Sequence, residues 1–306
     1  MIPPRPWPAL VGPTASGKTE AAVLVARRLG CEIVSADSML VYEGMDVGTA
    51  KPTVAERGGV PHHLIDVARP QAPFSVAAYQ RLAQAVLADI ALREGRPLIV
   101  GGSGLYYRAV SDDLEFPRTD PRIRLDLETE ALADAGRLFE RLTELDPAAA
   151  AKIEPGNTRR IVRALEVPGA TGNLFSSYAT RWEDYPGGNV RAAGIGLSRE
   201  AITSRVRLRV NRMLENGFLA EVRGLVERGL GEWLTSSQAI GYAEMALHLE
   251  GKLTLNEAVA GTVKRTKALA RRQLAWFRRD PRVRWFECDD GAPAIVDEIS
   301  EYLGDV

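Results

Sequence analysis

The sequence predicts an α/β fold, a P-loop NTPase-like parallel sheet flanked by helices with an inserted all-helical domain, and three observations carry that prediction. Short apolar runs alternate with longer helical patterns through the N-terminal half, which is the rhythm of βαβ units. A glycine-rich loop, GPTASGKT at residues 12–19, stands between a run of strand character and a run of helical character. From residue 120 to about residue 167 only helical patterns occur, so a different architecture interrupts the sheet.

Taken in order, residues 8–11 form a short apolar first strand. Residues 19–29, rich in Ala, Val and Leu and closed by Gly30, form a helix, and residues 31–35 a second strand. The polar, glycine-bearing stretch 37–61 is too long for an ordinary connection and is expected to be functional. A third strand is expected over 62–67. Ser75 is placed to cap a helix reaching Arg93, with Val76, Tyr79, Ala83, Val86, Leu87 and Ile90 at helical spacing. Residues 97–100 make a buried strand ending in Gly101 and Gly102. The helical insertion announces its helices with an aspartate before a proline, at Asp120-Pro121 and Asp146-Pro147. Pro168 is expected to end the helix that carries Arg159. The insertion's exit runs through Gly169, Gly172, Pro186, Gly187 and Gly188, and the apolar run 190–197 resumes the sheet, after which the chain is again read as helical. The expected domains are therefore 1–118 (core, first part), 119–188 (helical insertion) and 189–306 (core, second part, with C-terminal helices).

With 45% apolar and 26% charged residues among 306, the chain can bury a large core. No apolar run approaches the ~20 residues of a membrane span, and the start lacks the pattern of a secretory leader, so a cytoplasmic location is expected. Cys31 and Cys288 fit neither a disulfide framework nor metal-ligand spacing and are read as buried apolar residues. The net charge of −1 conceals segregation. Arg199, Arg205, Arg207, Arg209 and Arg212 cluster in one segment, residues 264–284 are strongly basic, and everything from Glu287 onward is acidic or neutral. Such clusters are either solvated helix faces or surfaces that neutralise nucleic-acid phosphates.

Gly12, Pro13, Thr14, Ala15, Ser16, Gly17, Lys18 and Thr19 match the G-x-x-x-x-G-K-[ST] loop in the strand-then-helix context it requires. The glycines let backbone N–H groups turn inward and the following helix adds partial positive charge. Lys18 supplies a point charge, and the Thr19 hydroxyl suits Mg²⁺. Such a loop holds a diphosphate moiety, most commonly that of a nucleoside triphosphate, and does not by itself say which; Thr14 is placed to reach a bridging or leaving oxygen. Asp37 follows the second strand, at the sheet edge where α/β folds place their ligands. A carboxylate facing a diphosphate either accepts a proton from the nucleophile or simply closes its own turn. Arg205, Arg209 and Arg212 share one face of a helix beside Val206, Val210 and Met213, so one arginine can look into the cleft. His62 and His63 are adjacent, point in different directions and are read as structural.

GPTASGKT, SADSMLVYEGMDVGTAKP (35–52), PHHLID (61–66), GGSGLY (101–106), RRIVRALEV (159–167) and QAIGY (238–242) occur in the order found in the tRNA dimethylallyltransferases, and the chain resembles that family along nearly its whole length. The resemblance implies Mg²⁺-dependent transfer of a dimethylallyl group from dimethylallyl diphosphate to the exocyclic amine of the adenine immediately 3′ of the anticodon. It further implies that the insertion grips the anticodon stem-loop and that Mg²⁺ rests on Thr19. It makes Asp37 the general base and has Thr14, Lys18 and Arg209 hold the diphosphate. It makes tRNA contacts of Asp37, Ser38, Met39, Leu40, Ser103, Arg124, Arg159, Arg160, Ile161, Val162, Arg163, Gln238, Ala239, Ile240, Gly241 and Tyr242. The chain departs from the family at Ser103, where Thr is common, and at Asn173 and Ala243, where Lys is common; the lost lysines bear on RNA affinity rather than on chemistry. The partners so implied are tRNA and the prenyl diphosphate, with no membrane and a single chain as the working unit. Three alternatives use the same residues: prenyl transfer to a free adenine nucleotide, a P-loop small-molecule kinase, and a nucleotide-switched RNA-binding module that gives Asp37 no task.

Overall fold

A computed structural model describes residues 6–112, 114–178, 184–289 and 291–305. The opening residues 1–5, on which the leader reading partly rests, and Asp290 of the acidic tail lie outside this range. The chain divides into two units, one made of Met1–Asp112 with Pro186–Val306, the other of Asp113–Tyr185.

The first unit is built on six parallel strands: β1 (Trp7–Val11), β2 (Cys31–Ser35), β3 (His62–His63), β4 (Arg96–Gly101), β5 (Val190–Gly196) and β6 (Val283–Glu287), ordered β3-β2-β4-β1-β5-β6. Every residue of β1 is buried, as expected of a strand covered on both faces. Helix α1 (Lys18–Leu29) lays Ala21, Ala22, Val25 and Ala26 against Leu10, Ile33, Leu98 and Ile195. The left-handed Gly30 then ends α1 and returns the chain into β2. Ser75 caps α3 (Val76–Leu92) by accepting a hydrogen bond from the Ala78 N–H, and Tyr79, Ala83, Leu87 and Ile90 form its buried stripe, as the spacing predicts.

Several boundaries differ from expectation. The first strand starts at Trp7 and the first helix at Lys18. The third strand stops at His63 because Leu64 and Asp66 take positive φ angles, 64° and 57°, which break extended pairing. Within the polar stretch, α2 (Val54–Arg57) forms on a capping box of Thr53 and Glu56. Helix α4 (Gly104–Ser111) follows β4 at once. The C-terminal third is not purely helical: β6 extends the sheet, its inward Val283 and Phe286 too few to stand out within an arginine-rich run. The remaining helices of this unit are α9 (Arg199–Glu215), α10 (Phe218–Val226), α11 (Tyr242–Leu249), α12 (Leu255–Phe277) and α13 (Val296–Gly304).

The second unit is helical throughout its named elements, α5 (Pro121–Ala133), α6 (Ala135–Leu145), α7 (Pro147–Ala150) and α8 (Thr158–Thr171), with a single helical turn at Phe175–Tyr178. Asp120, Asp134 and Asp146 cap α5, α6 and α7 through their carboxylates. Leu138, Leu142, Ile161 and Leu165 fill its core. Pro168 does not end α8. The helix runs on to Thr171, because a proline so near the C-terminus removes one bond, to the carbonyl of Ala164, while the flanking residues stay helical.

Candidate active site

Four elements of the first unit meet at the carboxyl edge of the sheet. The loop after β1 is shaped first by Gly12, whose φ of +152° and 2.9 Å approach of an added Cβ to the Ile195 carbonyl admit glycine alone. Ala15 is left-handed at φ 63°, an expense of ~1–2 kcal/mol. It is held there by packing against Leu197, Ile202, Val206 and Ala270. Ser16 is buried and its hydroxyl has no hydrogen-bond partner in the protein. An orphan donor inside a phosphate loop is what an anionic ligand would satisfy.

Lys18 donates to the Pro13 carbonyl at 2.7 Å, folding its ammonium back over the loop. Burial pulls its pKa down to about 8, against the charge of Asp37 that raises it and with that of Arg209 that lowers it further. Arg209 reaches in from α9 and donates to the Thr14 hydroxyl at 3.2 Å and to the Thr49 carbonyl at 3.1 Å. Burial lowers its pKa too, and Asp37 opposes the shift. Of the three arginines on that face, Arg205 instead braces the loop, donating to the Ser16 and Asp289 carbonyls. Arg212 stays exposed.

Asp37 closes an Asx turn, its Oδ1 accepting the Met39 N–H at 2.8 Å. The turn reading of this residue is thus met by one carboxylate oxygen, and the residue also lines the cavity beside the loop. Lys18, Thr19, Asp37, Leu40, Thr49 and Arg209 line this one cavity. Ala22, Ile33, Ile65 and Val100 add apolar wall to it. Ser103 sits beside this site, its N–H donating to the Ala36 carbonyl. Ser38, Met39 and Leu40 are half-buried there.

Mg²⁺ fits the residues present. It binds through few protein oxygens together with substrate phosphates and water. The exposed Thr19 hydroxyl at the head of α1 offers one such oxygen next to the loop. No cluster of three or more His, Cys, Asp or Glu suited to a metal occurs among the described residues, so a cage made of protein alone is not what these residues supply.

Other predicted contacts lie elsewhere. Tyr242 is fully buried, its hydroxyl donating to Glu221 at 2.7 Å, and Ala239 is buried as well; Gln238 is exposed and Ile240 half-buried. The backbone of Gly241 donates to Glu244 in the cap of α11. In the second unit Arg159 and Arg160 are exposed, whereas Ile161 and Val162 face the helical core. Arg124 and Arg163 both bind the fully buried Glu166, at 2.6 and 2.7 Å, and Arg163 also donates to the Pro117 carbonyl. Asn173 and Ala243 are exposed. His62 bonds the Val60 carbonyl and His63 bonds Glu32. Cys31 and Cys288 are buried and unpaired, and burial raises the Cys31 thiol to about 11. Two contributors carried no sequence signal: Gln273 of α12, whose Oε1 accepts the Thr14 N–H at 2.8 Å, and the Thr49 carbonyl that orients Arg209.

Sheet and loop define a P-loop-type α/β protein whose glycine-rich loop borders a cavity lined by Lys18, Thr19, Asp37 and Arg209. The family model for IPP transferase matches residues 40–280. A tRNA dimethylallyltransferase of Streptomyces coelicolor is 51% identical over 92% of this chain and 91% of its own, and one of Pelotomaculum thermopropionicum is 43% identical over 97% and 96%. The solved full-length tRNA isopentenylpyrophosphate transferase of Bacillus halodurans is 40% identical, with a TM-score of 0.69 over 97% of this chain and 96% of that one. A eukaryotic dimethylallyltransferase solved acting on tRNA, 23% identical, shares the fold at a TM-score of 0.78 over 96% of this chain and 79% of its own. The chain belongs to the IPP transferase family.

Proposed function

We propose that the protein transfers a dimethylallyl group from dimethylallyl diphosphate to N6 of the adenine immediately 3′ of the anticodon in tRNA, releasing diphosphate. The observation that carries this is the single cavity in which Lys18, Thr19 and Arg209 face Asp37. The N6 lone pair forms the new C–N bond, the C–O bond to the diphosphate breaks with its electron pair on oxygen, and Asp37 takes the N6 proton. Lys18 and Arg209 neutralise the leaving charge from a desolvated position, where their fields act most strongly. The Thr14 hydroxyl, turned by Arg209, supports the bridging oxygen. Mg²⁺ held by Thr19 and the phosphates would supply further charge stabilisation of the leaving group.

Exposed Arg159 and Arg160, with the basic α12, serve as RNA-phosphate contacts in this reading, and the half-buried Ser38, Met39, Leu40 and Ser103 as contacts beside the target base. The working unit is a single chain located in the cytoplasm. No helix among the described residues is long and apolar enough to cross a membrane. The test is direct. Unmodified tRNA, dimethylallyl diphosphate and Mg²⁺ are incubated with the protein, and one prenyl mass on one anticodon-loop nucleotide is expected. No prenyl mass across all cellular tRNAs, or preference for AMP over an anticodon stem-loop, overturns the proposal.

A further inference from the structure

The loop that follows β1 has a backbone donor that does not point at its ligand site. The Thr14 N–H donates to Gln273 Oε1 at 2.8 Å, across a sequence separation of 259 residues. An amide carries one proton, so this donor is already engaged. Thr14 is left to act through its hydroxyl, which Arg209 meets at 3.2 Å. The contact also settles which way the Gln273 carboxamide faces, since only its oxygen can accept. Its Nε2 is therefore turned to the cavity wall beside Gly102, where an added Cβ would stand 2.6 Å from it.

The surroundings make this a tie with two ends. Gln273 lies one turn beyond Ala270 and next to Leu274 on α12, the two residues that pack against Leu197, Val206 and the strained Ala15. The loop is thus clamped from α12 through the Thr14 backbone and from α9 through the Thr14 side chain. Neither bond alone fixes the hydroxyl, because rotation about the backbone would carry Thr14 away from Arg209 and rotation about χ1 would turn its oxygen elsewhere.

We propose that Gln273 is a positioning residue for the transfer reaction: by holding the Thr14 backbone it fixes the Thr14 hydroxyl at the bridging oxygen of the diphosphate. The proposal rests on the function given above, and its test separates the two. Single-turnover transfer is measured for wild type, Gln273→Met, Thr14→Ala and the double variant. Methionine keeps the length and apolar packing of the side chain but accepts no comparable hydrogen bond, and alanine keeps the Thr14 N–H while removing the hydroxyl. Displacement of a reacting group by about an ångström slows transfer roughly 10²-fold. Gln273→Met is therefore expected to lose about that much in rate, with KM for tRNA changed less than about twofold, and to lose nothing more in the Thr14→Ala background. Equal losses in both backgrounds, or a change confined to KM for tRNA, overturn the proposal. Should Gln273→Met fail to fold, Gln273→Asn, too short to span to Thr14, is judged by the same comparison. A wild type that transfers no prenyl group removes the proposed function; a wild type that transfers, with additive variants, removes this inference alone.

Discussion

At the scale of single residues, Asp37 and Lys18 carry the sharpest expectations. Asp37→Asn preserves the Met39 contact, since the asparagine carbonyl accepts the same N–H, but it cannot take a proton. Transfer should slow by about 10² to 10⁴ with tRNA binding and thermal stability nearly unchanged. Near-normal single-turnover rates at saturating tRNA would leave Asp37 with its turn alone. Lys18, with its pKa pulled down to about 8, is charged below that pH and neutral above it in the empty site. Binding a diphosphate favours the charged form, so affinity for inorganic diphosphate should fall as pH rises through 8 to 9.5, with a proton taken up on binding. Lys18→Arg stays charged throughout and should flatten the profile. Calorimetry in two buffers of different ionisation enthalpy checks both, and a wild-type profile as flat as that of the arginine variant would refute the assignment. The same linkage acts on folding: the folded state holds the Lys18 proton less tightly than the unfolded chain, so the ligand-free protein gains this part of its stability as pH rises from about 8 towards the ordinary lysine value of 10.5.

At the scale of elements, the loop and its flanking β1, α1 and β2 were legible because motif, apolar run and glycine stop agree within thirty or so residues. What was not legible follows from long-range packing. The tie from Gln273 to Thr14 spans nearly the whole chain, and in the sequence Gln273 is one more polar residue on a basic helix. β6 hides in a run whose arginines read as surface. Tyr242 belongs to a motif that reads as a contact surface, yet it packs on Phe218 at 5.1 Å between ring centres and anchors Glu221. That carboxylate accepts the N–H groups of Asp46, Val47 and Gly48 and so shapes the segment leading to Thr49. The arginines of α8 divide in the same way. Arg160→Ala should lower the slope of log affinity for tRNA against log salt by about one. Arg163→Ala should leave that slope unchanged and instead destabilise the helical unit by about 2–3 kcal/mol, because buried Glu166 loses a charged partner. An equal slope change in both variants would show that Arg163 leaves Glu166 to meet RNA.

For the whole molecule, two cores in two units imply two unfolding events. Leu142 is fully buried in the helical unit, and Ile299 is fully buried beneath α1 in the sheet unit. Each alanine substitution should cost about 2–5 kcal/mol. Scanning calorimetry should show Leu142→Ala lowering one transition and Ile299→Ala the other; a single transition lowered equally by both would show one cooperative body.

The open sheet ends in two unequal margins, and their construction decides what the protein does in a crowded solution. On one side β3 is two residues long, too short to template another strand. On the other, β6 exposes Arg284 and Glu287 along its five residues, and the Arg284 guanidinium lies 5.2 Å from the Phe286 ring. A neighbouring chain that tried to add a strand there would have to bury both charges. Exposed charge on one margin and a two-residue strand on the other both disfavour edge-to-edge growth of the sheet into ribbons.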